Sequence, residues 1–313
     1  MSTVMETLTR TRDLLTGGEW TAAALRDLYH LAADVKVHPE RFRSALGGRS
    51  VAMIFEKPSL RTRVTFEVGI RSLGGTAVFL DHAQSRLGER EAVRDVARSL
   101  ECWVQAIVAR TFEHQMLEQL AGHADIPVIN ALSNRFHPCQ ALADFFTLEE
   151  RFGHLRGLPF AFVGDGNNMC HSLMLVAARL GVHMRVATPP QYRPEPEIVA
   201  EARRAARESR GRIDLVTDPA DAVQGAQAVY TDTWVSMGQE LEAAEREGIF
   251  TPYRVTESLM GLAHPDAVFM HCLPAHRGVE VTEGVIDSGR SLIYHQAQNR
   301  LHVQNAILLT LLD

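Results

Sequence analysis

The sequence predicts an α/β protein with two doubly wound parallel-sheet domains that are joined by a helix. Short apolar runs, typical of buried strands, alternate with longer helix-like stretches along the chain. A long helix-like segment at 138–151 has about four of these runs before it and about five after it. The length of 313 residues also suits two domains better than one.

The strand and helix predictions follow the apolar runs in chain order. The strands expected in the first half are 51–55, 76–80, 105–109 and 127–130. Those expected in the second half are 160–164, 183–187, 227–231 and 267–271, with a weak one at 291–294. The connecting helices are expected at 62–73, 91–103, 114–122 and 172–180.

The domain boundaries follow from the position of the long central helix. We expect a first domain at 1–136, to which the apolar C-terminal helix 299–313 returns. The second domain is expected at 137–298 and includes the linking helix 138–151. Ligands of parallel α/β sheets bind beyond the carboxyl ends of the strands, so two such domains are expected to form a ligand cleft.

Composition narrows the class of protein. Hydrophobic residues make up 46% and charged residues 22% of the chain, as in ordinary globular proteins. A net charge of −6 argues against a broad nucleic-acid surface, and no apolar run is long enough to predict a membrane span. The four cysteines are dispersed and form no CxxC pair, which favours a reducing, cytoplasmic setting over disulfides or a zinc module.

The segment 57–64 carries the most informative motif, Lys-Pro-Ser-Leu-Arg-Thr-Arg-Val. It follows a strand-like run and opens a helix, so backbone N–H groups at a helix N-terminus are available to an anion. Ser59 is expected to cap this helix, and Arg61 and Arg63 add positive charge. The segment therefore predicts a phosphate site, with an exposed basic helix start as the alternative.

Two further polar groups follow strands of the first half. Arg110 ends the strand 105–109, where it is expected either to enter the ligand site or to lie in a solvated loop. His137 and Gln140 are three residues apart at the start of the linking helix, so both face one point. An imidazole and an amide together suit a carbonyl oxygen or an amide NH₂, although a capping histidine is the alternative.

Polar residues also follow strands of the second half. The turn 164–168 resembles the start of a dinucleotide fingerprint, but Met169 stands where the third glycine is required. Asn168 instead suits a small carboxylate or amine, and Asp232 suits a substrate ammonium. Ser236 and the nearby Gly238 suit a loop that approaches a small ligand. Ordinary strand-to-loop turns remain the alternative.

The segment 270–278 contains His271, Cys272 and His276. Their spacing matches no zinc template, and Pro274 prevents a regular helix, so no metal is predicted. A nucleophilic Cys272 next to a histidine is an open alternative. The favoured interpretation is a polar wall of a ligand pocket.

Taken together, these segments closely resemble the transcarbamoylase family over nearly the whole chain. The motifs that carry the resemblance are Ser-Leu-Arg-Thr-Arg, His-Pro-Cys-Gln, Ser-Met-Gly and His-Cys-Leu-Pro, in that order. Aspartate-using members share the first motifs but lack the last two, so the resemblance favours the ornithine-using branch. Leu60, where the family often has Thr, and Gln298, where an acidic residue is common, depart from the family pattern.

The resemblance implies roles for individual residues. The phosphate of carbamoyl phosphate would be held by Ser59, Leu60, Arg61 and Thr62. Its carbamoyl group would be held by Arg110, His137 and Gln140, and the site would be completed by Cys272, Leu273 and Arg300. The amino-acid end of ornithine would be held by Asn168, Asp232, Ser236 and Met237. In the homotrimer that the family forms, Gln84, with Arg86 as second choice, would reach the phosphate of a neighbouring subunit.

The resemblance also implies the reaction. The δ-amine of ornithine would attack the carbamoyl carbon, giving citrulline and phosphate, without a metal or organic cofactor. Arg110, His137 and Thr62 would stabilise the oxyanion, and Cys272 with Asp232 would favour the deprotonated amine. The alternatives are another amine acceptor such as putrescine, a nicotinamide-dependent oxidoreductase that uses the 164–168 turn, and a non-catalytic paralogue. The direction of metabolism, anabolic or catabolic, stays open.

Overall fold

The computed structural model describes residues 12–81, 86–235 and 242–313. Their contacts divide the chain into two compact units. Unit 1 comprises Met1–Cys139 and Arg300–Asp313, and unit 2 comprises Gln140–Asn299. Both boundaries fall inside helices, α5 (Pro138–Phe152) and α12 (Ile293–Leu312), so the chain passes from one unit to the other without a loop.

Unit 1 is built on a four-stranded sheet in which every pair of neighbouring strands is parallel. Its strands are β1 (Ser50–Phe55), β2 (Thr76–Asp81), β3 (Ala106–Arg110) and β4 (Val128–Leu132). In the spatial order β2-β1-β3-β4, the strand that follows β1 in the chain lies on one side of it and β3 lies on the other. This reversal places the carboxyl ends of β1 and β3 side by side, with Phe55 opposite Arg110. Such a switch point is where parallel α/β sheets bind ligands.

Unit 2 repeats this plan with five parallel strands in the order β7-β6-β5-β8-β9. The strands are β5 (Pro159–Val163), β6 (His183–Ala187), β7 (Arg212–Val216), β8 (Ala228–Tyr230) and β9 (Val268–Met270). The chain moves outward from β5 to β7 and then returns to the other side of β5 at β8. The switch point of unit 2 therefore lies at the carboxyl ends of β5 and β8.

Helices precede, connect or follow the strands in both units. In unit 1 they are α1 (Ala22–Val37), α2 (Leu60–Ser72), α3 (Val93–Glu101) and α4 (His114–His123). In unit 2 they are α6 (Asn168–Leu180), α7 (Pro196–Ser209), α8 (Pro219–Val223), α9 (Ala243–Phe250), α10 (Glu257–Met260) and α11 (Glu283–Ile286). Across the described ranges, no helix combines the length and apolarity that a membrane span requires.

Each unit buries its own apolar core. In unit 1, Ile54 and Ile107 on the sheet pack with Leu117 of α4. In unit 2, Val163 and Phe269 on the sheet pack with Phe250 of α9. All of these side chains are fully buried. The strands carry the apolar side chains into these cores, so the polar residues that follow each strand are placed at the sheet edge.

The prediction of two parallel-sheet α/β domains is confirmed, with several corrections to individual elements. The weak strand at 291–294 is wrong, because Ser291 forms only an isolated bridge with Phe269 and α12 begins at Ile293. That helix therefore starts six residues before the predicted 299. Helix α6 begins at Asn168 rather than at 172. The strand β7 and the helix α1 were not among the predicted elements.

Candidate active site

The predicted anion motif lies at the start of α2, directly after β1. Ser59 occupies the predicted N-cap position with an extended backbone (φ −158°, ψ 105°), although its side chain makes no capping hydrogen bond within the described residues. Leu60 is 74% exposed and Arg61 is half-buried. The open N–H groups and the Arg61 charge together remain suited to an anion.

Arg63 contributes its charge elsewhere. Its guanidinium lies 3.6 Å from the centre of the Phe79 ring, and its Nε donates to Glu67 Oε1 at 2.9 Å. The residue is exposed on the surface of α2. The two arginines of the motif are therefore not equivalent: Arg63 belongs to the helix surface, whereas Arg61 stands at the helix start.

Thr62 and Arg300 are joined in unit 1. Both are almost fully buried, and Nη2 of Arg300 donates to Oγ1 of Thr62 at 2.6 Å. This hydrogen bond links the first turn of α2 to the C-terminal helix α12. The sequence placed these residues 238 positions apart, and only the return of α12 to unit 1 brings them together.

Arg110 and His137 lie beyond the carboxyl ends of neighbouring strands. Arg110 ends β3, where the pairing with β4 is irregular between Ala109 and Arg110, and it is 6% exposed. His137 is equally buried and directly precedes α5. Burial, with smaller contributions from the Arg300 and Arg110 charges, holds the pKa of His137 well below its usual value of 6.5. Its imidazole is therefore neutral at physiological pH.

Two polar residues follow β1: Glu56, which the sequence analysis did not single out, and Lys57, which opens the 57–64 motif but was given no role of its own. Glu56 is buried and its carboxylate accepts hydrogen bonds from the backbone N–H groups of Leu87 and Phe112, both at 2.7 Å. Lys57 is also buried, and its Nζ lies 4.4 Å from the centre of the Phe112 ring. Burial, together with the nearby Arg110 charge, lowers the pKa of Lys57. A Glu-Lys pair directly after a buried strand was the available signal.

Three predicted residues, Gln84, Ser236 and Met237, lie outside the described residues. Arg86, the second choice for the cross-subunit role, is exposed, and its guanidinium lies 4.2 Å from the centre of the Phe112 ring. It lines a cavity of about 670 Å³ in unit 1, together with Glu56 and Glu113. The described residues therefore place Arg86 beside the loop that follows β3.

In unit 2, Asp232 follows β8 and is the centre of a small polar cluster. It is 8% exposed. Its Oδ2 accepts a hydrogen bond from Asn167 Nδ2 at 2.9 Å, and its Oδ1 accepts one from Cys272 Sγ at 3.0 Å. Asn167 also caps α6 by accepting from Met169 and Cys170 N–H groups. Asn167 thus contacts Asp232 directly, and the predicted Asn168 is the half-buried first residue of α6.

Cys272 is a thiol rather than a thiolate at neutral pH. Burial, followed by the Asp232 charge, raises the pKa of Cys272 well above its usual value. The nucleophile alternative therefore loses support, because the thiolate is the reactive form of cysteine. Ligand atoms of Asp232, His271 and Cys272 do lie within 4.8 Å of one another. These atoms already take part in hydrogen bonds, however. Cys272 Sγ donates to Asp232, and His271 Nδ1 accepts from the Leu273 N–H at 2.9 Å.

The segment after β9 has an unusual backbone. Leu273 adopts φ +60°, in the left-handed region that non-glycine residues seldom occupy outside functional sites. His271 is fully buried, and its Nε2 lies 3.3 Å from Oε1 of the equally buried Glu280. Because Nδ1 of His271 accepts from Leu273, its Nε2 carries the proton and faces the carboxylate. This arrangement holds the Leu273 backbone in position.

Arg246 and Asp165 form a second buried polar group in unit 2, an ion pair. Arg246 is 3% exposed, lies over the Tyr192 ring at 4.6 Å, and its Nε donates to the Trp234 carbonyl at 2.6 Å. Its Nη2 donates to Asp165. Burial raises the pKa of Asp165 to about 6, against the opposing effect of Arg246. The pair connects α9 to the turn after β5, which carries Asn167.

Gly166 is one of the two glycines by which the 164–168 turn resembles a nucleotide-binding fingerprint, and the structure gives a packing reason for it. A Cβ at this position would lie 2.3 Å from Pro194 N and 2.6 Å from Tyr192 O, both backbone atoms. The glycine is therefore required for close packing of the turn against 192–194. This packing accounts for Gly166 without a bound nucleotide, and the third glycine of the fingerprint is replaced by Met169.

Replacement of Gly166 with Ala is expected to lower the free energy of unfolding by about 2–3 kcal/mol, because the backbone of 192–194 has to move. Urea unfolding measures this change. Gly122→Ala in α4 is the matched control, since a Cβ there has nothing within 4 Å and the change is expected to be neutral or stabilising. Equal stability of Gly166→Ala and the wild type would contradict the packing argument.

Unit 1 thus carries a helix start, buried arginines and a neutral histidine, and unit 2 by itself carries a carboxylate–thiol–amide cluster. A helix start with a nearby arginine suits a phosphate, and a buried carboxylate suits an ammonium group. Two family models match the chain: aspartate/ornithine carbamoyltransferase, carbamoyl-P binding domain, over residues 12–150, and the corresponding Asp/Orn binding domain over residues 156–311. The chain belongs to the aspartate/ornithine carbamoyltransferase family.

Individual relatives agree with this family. An ornithine carbamoyltransferase from Anoxybacillus flavithermus is 51% identical over 304 residues, which cover 96% of each chain. The solved structure of ornithine carbamoyltransferase from Pyrococcus furiosus is similar with a TM-score of 0.92 and 47% identity, covering 95% of this chain and 96% of that one. The anabolic enzyme from Campylobacter jejuni has a TM-score of 0.91 and 38% identity, covering 96% and 98%.

Proposed function

We propose that this protein transfers the carbamoyl group of carbamoyl phosphate to the δ-amine of L-ornithine, giving L-citrulline and phosphate. The observation that carries the choice of acceptor is the buried carboxylate of Asp232, which lies at the switch point of unit 2. A carboxylate there attracts the ammonium group of a diamino acid and repels the second carboxylate of aspartate. The names of the similar proteins support the same acceptor.

Unit 1 holds carbamoyl phosphate in this proposal. The phosphate lies against the N-terminus of α2, where Ser59, Leu60 and Arg61 supply backbone N–H groups and a guanidinium. Leu60 has no hydroxyl, so its backbone N–H serves the anion and one side-chain donor is lost. Thr62 and Arg300, which already share a hydrogen bond, complete the polar surface beside the helix start.

The carbamoyl oxygen is the atom on which negative charge develops. Arg110 and neutral His137 donate hydrogen bonds to it, together with the Thr62 hydroxyl, and Gln140 of α5 holds the carbamoyl group. A neutral imidazole still has one N–H to donate, so the lowered pKa of His137 is compatible with this role. His137 is accordingly expected to contribute no ionisation to the pH profile of kcat near neutrality.

The chemical step is acyl transfer. The lone pair of the δ-amine forms a bond to the carbamoyl carbon, and the C–O bond to phosphate breaks with its electron pair staying on the phosphate. The proton that the amine loses passes to that phosphate. Asp232 holds the ammonium of the amino-acid end, with Asn168, Ser236 and Met237 as its partners. Cys272 acts as a hydrogen-bonding thiol next to Asp232, and Leu273 offers its backbone carbonyl to the carbamoyl NH₂.

The assembly and setting are part of the same proposal. The protein works in the cytoplasm as a homotrimer or a multiple of trimers, in which Gln84 or Arg86 reaches the phosphate of a neighbouring subunit. The dispersed, unpaired cysteines support a reducing setting. Sedimentation analysis tests the trimer directly, and an active monomer would contradict it.

A citrulline assay with ornithine and carbamoyl phosphate tests the proposed function. We expect turnover with L-ornithine and none with aspartate. The same assay with putrescine separates the alternative acceptor, because putrescine lacks the carboxylate and α-ammonium that unit 2 is proposed to hold. The absence of citrulline from correctly folded wild-type protein would refute the proposal.

Replacement of Asp232 with Asn is expected to raise the KM for ornithine by at least about thirtyfold, because a buried carboxylate no longer meets the substrate ammonium. The KM for carbamoyl phosphate is expected to change little. Steady-state citrulline kinetics measure both values. Asp221→Asn, at an exposed carboxylate of the same unit, is the control and is expected to match the wild type. An unaltered ornithine KM would remove Asp232 from the substrate site.

A further inference from the structure

A buried carboxylate that has no part in the chemistry above lies in α5. Asp144 is fully buried, one helical turn after Gln140. Its Oδ1 accepts hydrogen bonds from Gln140 Nε2 at 2.7 Å and from Gln296 Nε2 at 2.8 Å. Its Oδ2 accepts one from the Tyr230 hydroxyl at 2.9 Å. Three donors from three elements of unit 2 therefore converge on one side chain.

This arrangement decides how the Gln140 amide is turned. A carboxylate accepts hydrogen bonds and cannot donate one, so only the NH₂ end of the amide can face Asp144. The carbonyl oxygen Oε1 is then directed away from the carboxylate. We propose that Asp144 is a positioning residue that presents Oε1 of Gln140 as the acceptor for the carbamoyl NH₂. This inference rests on the proposed function, in which Gln140 holds the carbamoyl group.

The chemical consequence is selectivity for the acyl group of the donor. A carbamoyl group carries an NH₂ that donates to Oε1 of Gln140, whereas an acetyl group has a methyl in the same place. A correctly turned amide therefore favours carbamoyl phosphate over acetyl phosphate, although the two share the phosphate and the carbonyl. A Gln140 amide that is free to turn loses this preference.

The same carboxylate also connects the strand ends that carry the acceptor site. Gln296 binds Asp144 through Nε2 and accepts the backbone N–H of His271 through Oε1 at 3.0 Å. His271 directly precedes Cys272, and Tyr230 lies two residues before Asp232. The orientation of Gln140 is thus tied, through Asp144, to the carboxyl ends of β8 and β9. Without Asp144 this connection would be absent.

Replacement of Asp144 with Leu and with Asn tests the proposal. Leu has a similar size but no acceptor, so the Gln140 amide is no longer held. Asn is expected to rescue the arrangement, because its Oδ1 accepts from both glutamines while its NH₂ donates to Tyr230, whose hydroxyl rotates to accept. Asp144→Ser is a second acceptor-poor variant, with room for a water molecule, in case the Leu variant does not fold.

The readouts are the KM for carbamoyl phosphate and the competitive Ki values of acetyl phosphate and inorganic phosphate. In the Leu or Ser variant we expect the preference for carbamoyl over acetyl phosphate to fall about fivefold, the effect of one neutral hydrogen bond. The Ki of phosphate is expected to stay unchanged. The Asn variant is expected to keep the wild-type preference. Thr147→Val, one turn further along α5 and equally buried, is the control and is expected to keep it too.

A purely structural role would weaken both acyl phosphates equally, and an unchanged preference in the folded Leu or Ser variant would overturn the proposal. Loss of the preference in the Asn variant would overturn the claim that hydrogen-bond acceptance is the cause. These outcomes differ from failure of the proposed function, in which the wild-type protein itself would form no citrulline.

Discussion

Replacement of Arg110 with Met is expected to lower kcat for citrulline formation by about 10²–10³-fold, because a buried donor to the developing oxyanion is lost. Arg110 is 6% exposed at the end of β3, where water does not screen its charge. Its guanidinium also contributes to the low pKa of His137, after burial and Arg300, so that pKa is expected to rise in the variant. Steady-state and single-turnover kinetics measure the change in rate.

Arg63→Met is the matched control for Arg110→Met. Arg63 is exposed, stacks on Phe79 and pairs with Glu67 on the same helix, so its loss removes the same charge without touching the site. We expect kcat within about threefold of the wild type, the size of a weak surface effect. A loss of rate as large as that of the Arg110 variant would show that overall charge, rather than placement, is responsible.

Replacement of Arg246 with Met is expected to lower the free energy of unfolding by about 3–5 kcal/mol. The change leaves the buried Asp165 carboxyl without its cation and removes the hydrogen bond to the Trp234 carbonyl. Urea unfolding measures the difference. Arg212→Met is the control, since Arg212 pairs with Asp214 at 2.6 Å but its side chain is 71% exposed. That surface pair is expected to contribute at most about 1 kcal/mol.

The effect of Arg246→Met is expected to depend on pH, and the sign follows from Asp165. Burial raises the pKa of Asp165 from 3.8 to about 6, so the folded state binds more protons than the unfolded state between about pH 4 and 6. Its contribution to stability therefore falls as the pH rises through this window. Without Arg246 the pKa rises further and the window extends upward. The free energy of unfolding of the wild type should exceed that of the variant by more at pH 8 than at pH 5. A difference that does not change with pH would contradict the ion-pair explanation.

The sequence predicted most strands and the residues that follow them. Runs such as 51–55 and 160–164 are continuous apolar segments, which only a buried strand or helix accommodates, and their length favours strands. Since parallel strands end at one edge of the sheet, the positions of Arg110, His137 and Asp232 followed from chain order alone. The roles of these residues stay predictions that the kinetic experiments above decide.

Elements with mixed composition could not be predicted in this way. The strand β7 lies at the edge of its sheet and has Arg212 and Asp214 among apolar residues, so it has no continuous apolar run. The run 291–294 is short, and the same residues suit the start of a helix as well as a strand. Ser291 pairs only once with Phe269 before α12 begins. Local pattern does not decide such cases, because the partner that buries the segment lies elsewhere in the chain.

What the sequence by itself determined was the α/β class, the strand ends and the residue types gathered there, because apolar periodicity and helix-start chemistry are local properties. Only the tertiary structure decided which side chains meet: Arg300 with Thr62, Asn167 with Asp232, and Asp144 with Tyr230 and Gln296 as well as with Gln140. Most of these hydrogen bonds join residues far apart in the chain. Their geometry depends on how helices pack against the sheet, which no local pattern records.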